Sequence, residues 1–339
     1  MRVLRSERVA AVLLLVGAAA GLLLANSAAG PAVESFMDLE LGWTVRAWLE
    51  DGLLSLFFLV VAIELRHEFV NGELRSPRLA LRPAIAAAGG VLVPVAIYLA
   101  LTAGSGQERG WPVPTATDVA FALGVFAIAG RGLLPQRIRA FLLALAIIDD
   151  LIGILLIALL FGADPHRLPT LVAVAVGLLL PSRAGHAVRR ALTPAVNGVV
   201  LPLFAFTACL VVVPSPGREG LAPVFWGIAI ALPIGKLLGI GATTWLADRL
   251  WVRSRAARMN VLDLATVGAL GGIGFTVSLL LASLAFHDQE ELAAEAVLGV
   301  LVGSGASVVL AVVLLSLQVA RVRAVARLRE QARARAAQG

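Results

Sequence analysis

Two carboxylates stand side by side in a stretch that otherwise carries no charge. Asp149 and Asp150 interrupt the run Phe141-Leu-Leu-Ala-Leu-Ala-Ile-Ile-Asp-Asp-Leu-Ile-Gly-Ile-Leu-Leu-Ile. An ionised side chain at mid-bilayer costs about 2.5–3.5 kcal/mol on insertion scales, so such residues are functional candidates by default. Burial favours the protonated form of a carboxyl, and a hard cation takes oxygen ligands. A buried acid pair can therefore trade protons for a cation. On a helix the two point about 100° apart, to neighbouring faces. The other reading is a structural pair that offsets helix dipoles or bonds to neighbouring segments.

Three more motifs carry chemistry. Lys236 lies in Ala231-Leu-Pro-Ile-Gly-Lys-Leu-Leu-Gly-Ile and is the only lysine beside 27 arginines. A buried lysine can lose its proton, whereas arginine practically cannot; the alternative is a side chain that snorkels to an interface. Asp118 lies in Pro112-Val-Pro-Thr-Ala-Thr-Asp-Val-Ala-Phe-Ala-Leu-Gly, which predicts an irregular span. Amides freed at a half-helix N-terminus would favour its carboxylate, or it is an N-cap near the surface. Ala269-Leu-Gly-Gly-Ile-Gly-Phe-Thr-Val-Ser predicts a second interruption at Gly272 and Gly274, followed by Thr276, or close small-residue packing. Glu64, Arg66, His67 and Glu68 cluster at one end of an apolar segment, as a pH-responsive group or a solvated helix end.

Such residues need long apolar elements around them. Of 339 residues, 59% are hydrophobic and 15% charged, and mean hydropathy is +0.91. A soluble domain would carry about a quarter charged residues. The expected fold is an all-α polytopic membrane protein, one domain over 1–339. Ten apolar segments lie near 9–29, 48–66, 83–103, 115–130, 138–161, 168–182, 197–214, 222–246, 262–286 and 296–320. The fourth and sixth are short against the roughly 20 residues of a full crossing. The first follows Arg2, Arg5 and Arg8, as a signal peptide would, yet exceeds the usual h-region of about 7–15 residues and reads as a span.

The cations alternate. Of 28 Lys and Arg, 23 fall in the two tails and every second loop. The opposite loops hold only Arg46, Arg109, Arg167 and Arg218. By the positive-inside rule both termini are cytoplasmic. The net charge of +6 is then a topology signal and not a nucleic-acid footprint. Residues 321–339 form a basic cytoplasmic tail suited to anionic lipid. One cysteine, Cys209, excludes an intrachain disulfide. Four scattered histidines and no nucleophile motif argue against an enzyme, and no cofactor is expected.

Together these stretches resemble the NhaA family of bacterial sodium/proton antiporters. The resemblance rests on Asp51-Gly-Leu-Leu-Ser-Leu-Phe-Phe, Ala116-Thr-Asp-Val-Ala-Phe-Ala-Leu-Gly, Leu143-Ala-Leu-Ala-Ile-Ile-Asp-Asp, Leu201-Pro-Leu-Phe-Ala-Phe, Gly235-Lys and Gly272-Ile-Gly-Phe-Thr-Val-Ser. NhaA is itself a standard example of an inverted-repeat transporter, so that architecture is implied by the resemblance. It also implies that Asp150 is the main cation-binding aspartate, with Thr117 at the same site. Asp149 would gain and lose protons and pair with Lys236. Asp118 and Lys236 would offset the dipole ends of two interrupted, crossing helices. Glu64, His67 and Glu68 would fall in the pH-response cluster. The implied activity is electrogenic exchange of Na+ (or Li+) for H+ across the inner membrane, for pH and sodium homeostasis, with a homodimer as the implied assembly.

Two departures stand out. The family has twelve spans and this chain ten, with the shortfall between Leu160 and Pro181. The family's acidic and histidine residues ahead of Leu201 are replaced by a stretch with His186, Arg189, Arg190 and Thr193. A non-transporting homologue or sensor, and a sodium-coupled solute symporter, are the alternative readings.

Overall fold

A computed structural model of the chain describes residues 7–71, 77–130, 136–161, 168–213, 220–251 and 258–336. It is helical nearly throughout: α1 (Glu7–Ala25), α2 (Gly30–Met37), α3 (Val45–Ala47), α4 (Leu53–Asn71), α5 (Pro77–Thr102), α6 (Val119–Ala129), α7 (Gln136–Phe161), α8 (Leu168–Leu179), α9 (Ser182–Ala195), α10 (Leu201–Ala208), α11 (Pro223–Ile230), α12 (Lys236–Trp251), α13 (Val261–Gly271), α14 (Phe275–Ala285) and α15 (Glu290–Ala336). A two-residue antiparallel ladder, β1 (Glu40–Leu41) with β2 (Trp43–Thr44), turns at Gly42, whose φ is 83°. It lies in the 31–46 loop, where residue alternation predicts neither helix nor strand.

The ten apolar segments coincide with these helices. Four helical stretches are long and apolar enough to cross a bilayer: Leu81–Thr102, Ser182–Ala208, Pro223–Leu250 and Glu290–Ala324. Three bent pairs also qualify: α1 with α2 (111°), the Glu108–Thr115 turns with α6 (43°), and α13 with α14 (46°). Helices α4, α7 and α8 occupy the remaining positions. At twelve residues α8 is about 18 Å long, short of the roughly 30 Å hydrocarbon core.

Helix ends differ from the apolar runs. The predicted seventh segment starts at 197, but its helical stretch starts at Ser182, because α9 is a polar, arginine-bearing helix continued through a π-turn, Val196–Val200, into α10. Likewise α15 runs on through the basic tail to Ala336. Hydropathy marks where a helix is apolar, and backbone hydrogen bonding carries it further. Another π-turn, Ala231–Gly235, joins α11 to α12; Pro233 has no N–H for a regular α-helical bond, and such bulges often mark functional sites.

Packing is closest where side chains are missing. A Cβ on Gly239 of α12 would overlap the Gly89 carbonyl of α5. Helix α8 lies on α4, where a Cβ on Gly177 would come 2.7 Å from Cβ of Ala62. Ten of the eleven residues of α14 are buried, so this half-helix is wrapped by the bundle and has no lipid face. Helix α1 packs on α10 with Leu14 fully buried, and is thus an integral part of the bundle.

Candidate functional site: two crossing breaks and a buried ion pair

Span four breaks at Ala116–Asp118. Ala116 is extended (ψ 153°), and Asp118 begins α6 as its N-cap, with Oδ1 accepting from the Phe121 amide at 2.9 Å. Span nine breaks at Gly272–Gly274, between α13 and α14. The two breaks meet. The Asp118 amide donates to the Ile273 carbonyl at 2.6 Å. Its Oδ2 accepts from the Thr276 amide at 3.2 Å and the Thr276 hydroxyl at 2.6 Å. One buried carboxylate thus caps the N-termini of two half-helices, each of which presents orphan amides and partial positive charge. Below the crossing, Ser278 donates to the Val113 carbonyl at 2.8 Å, and the Phe121 and Phe275 rings lie 5.3 Å apart.

The lysine and the first acid meet beside this crossing. Lys236 Nζ lies 3.0 Å from Asp149 Oδ2 and 3.1 Å from Thr117 Oγ1. The Thr117 hydroxyl lies 2.7 Å from the same Asp149 oxygen and 2.8 Å from the Gly271 carbonyl, at the C-terminal end of α13. The ammonium is therefore one hydroxyl away from the negative end of a half-helix. Lys236 is 0% exposed and the Asp149 side chain 1%. Asp149 Oδ1 is buried without a hydrogen-bond partner among the described groups. The backbone of Asp150 belongs to α7; its side chain lies outside the described residues.

A cavity of about 320 Å³ opens onto this region. Thr117, Asp118, Thr276, Glu64, Arg139 and Asn197 are among the residues that line it. Glu64 pairs with Arg189 of α9 at 3.2 Å. The His67 and His186 rings meet edge to face, centroids 4.4 Å apart, so α4 and α9 are joined twice. Glu68 is half-buried on the same helix as Glu64.

Several functional-looking contacts escape sequence reasoning. Arg189 as counter-ion of Glu64 is one, because the partners are far apart in the chain. The Arg82–Asp248 ion pair is another; it joins α5 to α12, and Asp248 also accepts from the Met259 amide at 2.9 Å. Buried Asp263 accepts from Gln318 at 3.3 Å. Asp248 and Asp263 could have been suspected as acids within apolar helices; their partners could not.

Comparison with known proteins identifies the family. The family model described as Na+/H+ antiporter 1 matches residues 1–184 and 167–315. The chain is similar to the Na(+)/H(+) antiporter NhaA 2 of Clavibacter michiganensis, 47% identical over 94% of this chain and 92% of that protein. It is 39% identical to the Na(+)/H(+) antiporter NhaA of Tropheryma whipplei, over 93% of this chain and 95% of the relative. It is 34% identical to that of Thermobifida fusca, over 95% and 94%. An alignment of 382 positions that takes in 94% of a 339-residue chain leaves about sixty positions without a counterpart here. That length suits two spans of about 20 residues with their loops. The two family-model segments meet at 167–184, around α8 and the start of α9. Matched over almost its whole length, this all-helical, multi-pass membrane chain belongs to the Na+/H+ antiporter 1 family.

Proposed function

We propose that the protein exchanges Na+ (or Li+) for H+ across the bacterial inner membrane, electrogenically, with more than one proton moved per cation. The supporting observation is the buried Lys236–Asp149–Thr117 cluster with one Asp149 oxygen unclaimed. A buried ion pair contributes little net stability, since desolvation offsets its attraction. Here it holds two groups that can each change partner. When Na+ arrives, Asp149, Asp150 and Thr117 supply oxygens to it, which suits a hard cation. Lys236 then loses its counter-ion, and a lysine, unlike an arginine, can give up its proton. Proton and cation thus compete for the same acids, and each occupied state faces one side as one bundle rocks against the other.

Asp118 compensates the two half-helix N-termini, and Lys236 the opposing C-terminal end. Gly272, Gly274 and Thr276 provide the crossing backbone. Glu64, His67 and Glu68, with Arg189 and His186, form the proposed pH-response cluster. Both termini are assigned to the cytoplasm, the tail to the anionic lipid surface, and the assembly to a homodimer. The antiporter names carried by relatives along nearly the whole chain disfavour the symporter and non-transporting readings.

The test is Na+-driven pH change in everted vesicles. Wild-type protein dissipates an imposed pH gradient on addition of Na+, and Asp149→Asn or Asp150→Asn reduces that response to the level of vesicles without the protein. Undiminished exchange in either variant refutes the site.

A further inference from the structure

The polar side chains around the cavity are almost all engaged. Asp118 accepts from Phe121 and Thr276. The Thr117 hydroxyl bonds within the lysine cluster. Glu64 pairs with Arg189, and the Thr193 hydroxyl donates to the Arg189 carbonyl at 2.7 Å. Arg139 has a partner as well. Asn197 is different: it is half-buried and lines the cavity, and its amide makes no hydrogen bond with the described residues. An amide that no protein group bonds is free to take a polar ligand in place of water. The cavity's contents are placed to supply those bonds.

The backbone points the same way. Thr193, Asn197 and Leu201, four residues apart, all line the cavity, so this is one face of the α9–α10 rod. Asn197 is the second residue of the π-turn Val196–Val200. The Leu201 amide, which would serve the Asn197 carbonyl in an α-helix, donates to Val196 instead. The next residue, Pro202, has no N–H to offer. The Asn197 carbonyl is thus left without a regular helical donor. One residue supplies two uncommitted oxygens, the ligand type a hard cation takes.

We infer that Asn197 is a specificity-determining relay for the transported cation, replacing part of its hydration shell between the Glu64–Arg189 pair and the Thr117–Asp149 site. This rests on the antiport reading above. The residue stands apart from the acids that exchange protons, so its removal acts on cation affinity and not on the chemistry of exchange.

The experiment measures the Na+ and Li+ dependence of exchange in proteoliposomes, together with Na+ binding to the purified protein by calorimetry. Asn197→Ala raises KM for Na+ about three- to tenfold, the value of one or two hydrogen-bond-strength contacts, while the maximal rate stays near wild type. Asn197→Ser, which keeps an oxygen, recovers most of the affinity. Asn197→Asp lowers KM for Na+, which a merely structural residue would not do, and this arm decides the matter if the alanine variant fails to fold. The Na+/Li+ preference shifts in both Asn197→Ala and Asn197→Asp. Unchanged KM and unchanged preference in both variants overturn the proposal. If wild type shows no exchange at all, the antiport reading fails, and the calorimetric titration still decides Asn197: weaker Na+ binding in Asn197→Ala supports its role, and equal binding removes it.

Discussion

At the scale of single residues, the central fact is a fully buried lysine ion-paired with a buried carboxylate. Removing one partner of such a pair leaves an uncompensated buried charge, a loss of about 3–5 kcal/mol. Lys236→Met should accordingly destabilise the protein by about that amount, and adding Asp149→Asn should restore most of it. Thermal unfolding in detergent of the two single variants and the double variant measures this coupling; additive effects would show that the two side chains do not depend on each other. Thr117 makes a narrower prediction. Its hydroxyl bridges the ammonium, the carboxylate and the Gly271 carbonyl. Thr117→Val keeps the shape and removes the oxygen. Apparent Na+ affinity should fall about tenfold, corresponding to roughly 1.4 kcal/mol, and Thr117→Ser should restore it. Equal exchange kinetics in the valine variant would remove Thr117 from the site.

At the scale of elements, the two interruptions make the site. A continuous helix hides its amides in its own ladder, whereas a broken one exposes up to four N–H groups at each new N-terminus. Asp118 answers two such ends at once. Losing a cap costs about 1 kcal/mol per helix, more when the freed groups are buried. Asp118→Ala should therefore lower stability by at least about 2 kcal/mol, read as an earlier melting transition. A melting curve matching wild type would mean that the half-helices find other partners. At the start of span four, Arg109 forks onto Asp288, which follows α14, and lies over the Phe286 ring, 5.1 Å from its centroid. It staples the outer ends of the two broken spans. The hydrogen bond from Arg109 holds the Asp288 carboxyl below the ordinary carboxylate range. A depressed carboxyl contributes above its unfolded pKa of about 3.9 and loses that contribution only as pH falls through the lower folded value. Arg109→Gln should thus shift the melting temperature slightly and equally at pH 8 and pH 5. A shift that vanishes by pH 5 would contradict the staple.

At the scale of the whole molecule, the protein keeps every element that builds the site while about sixty aligned positions of a relative are absent. The proposed site draws on α6, α7, α12 and the α13–α14 break, and the two family-model segments overlap at 167–184, outside these elements. A deletion of two spans would leave each later helix on its original side, which is what the arginine alternation predicts. Reporter fusions at residues 1 and 339 should therefore both report cytoplasm, and one within 103–108 the opposite side. An external signal from the C-terminal fusion would break the ten-span assignment.

Much was legible before any helix was placed. Apolar runs dictate spans because a bilayer leaves backbone groups no partner but each other. The breaks at Ala116–Asp118 and Gly272–Gly274 follow from prolines, glycines and a short polar stretch inside those runs. The charges Asp118, Asp149, Asp150 and Lys236 are conspicuous because insertion makes them costly. What the chain order could not say is who meets whom. Asp149 and Lys236 are 87 residues apart, and Asp118 and Thr276 are 158 apart. Their contact depends on helices crossing at one depth and one rotation, set by close packing such as Gly89 on Gly239. The same holds for Arg189, read from the sequence only as a charge and found as the partner of Glu64. It holds for Asn197, whose carbonyl loses its helical donor to a π-turn that hydropathy does not register. Local pattern dictates which residues enter the membrane, and tertiary packing alone decides which of them pair, because pairing energies act over a few ångströms that only the folded bundle defines.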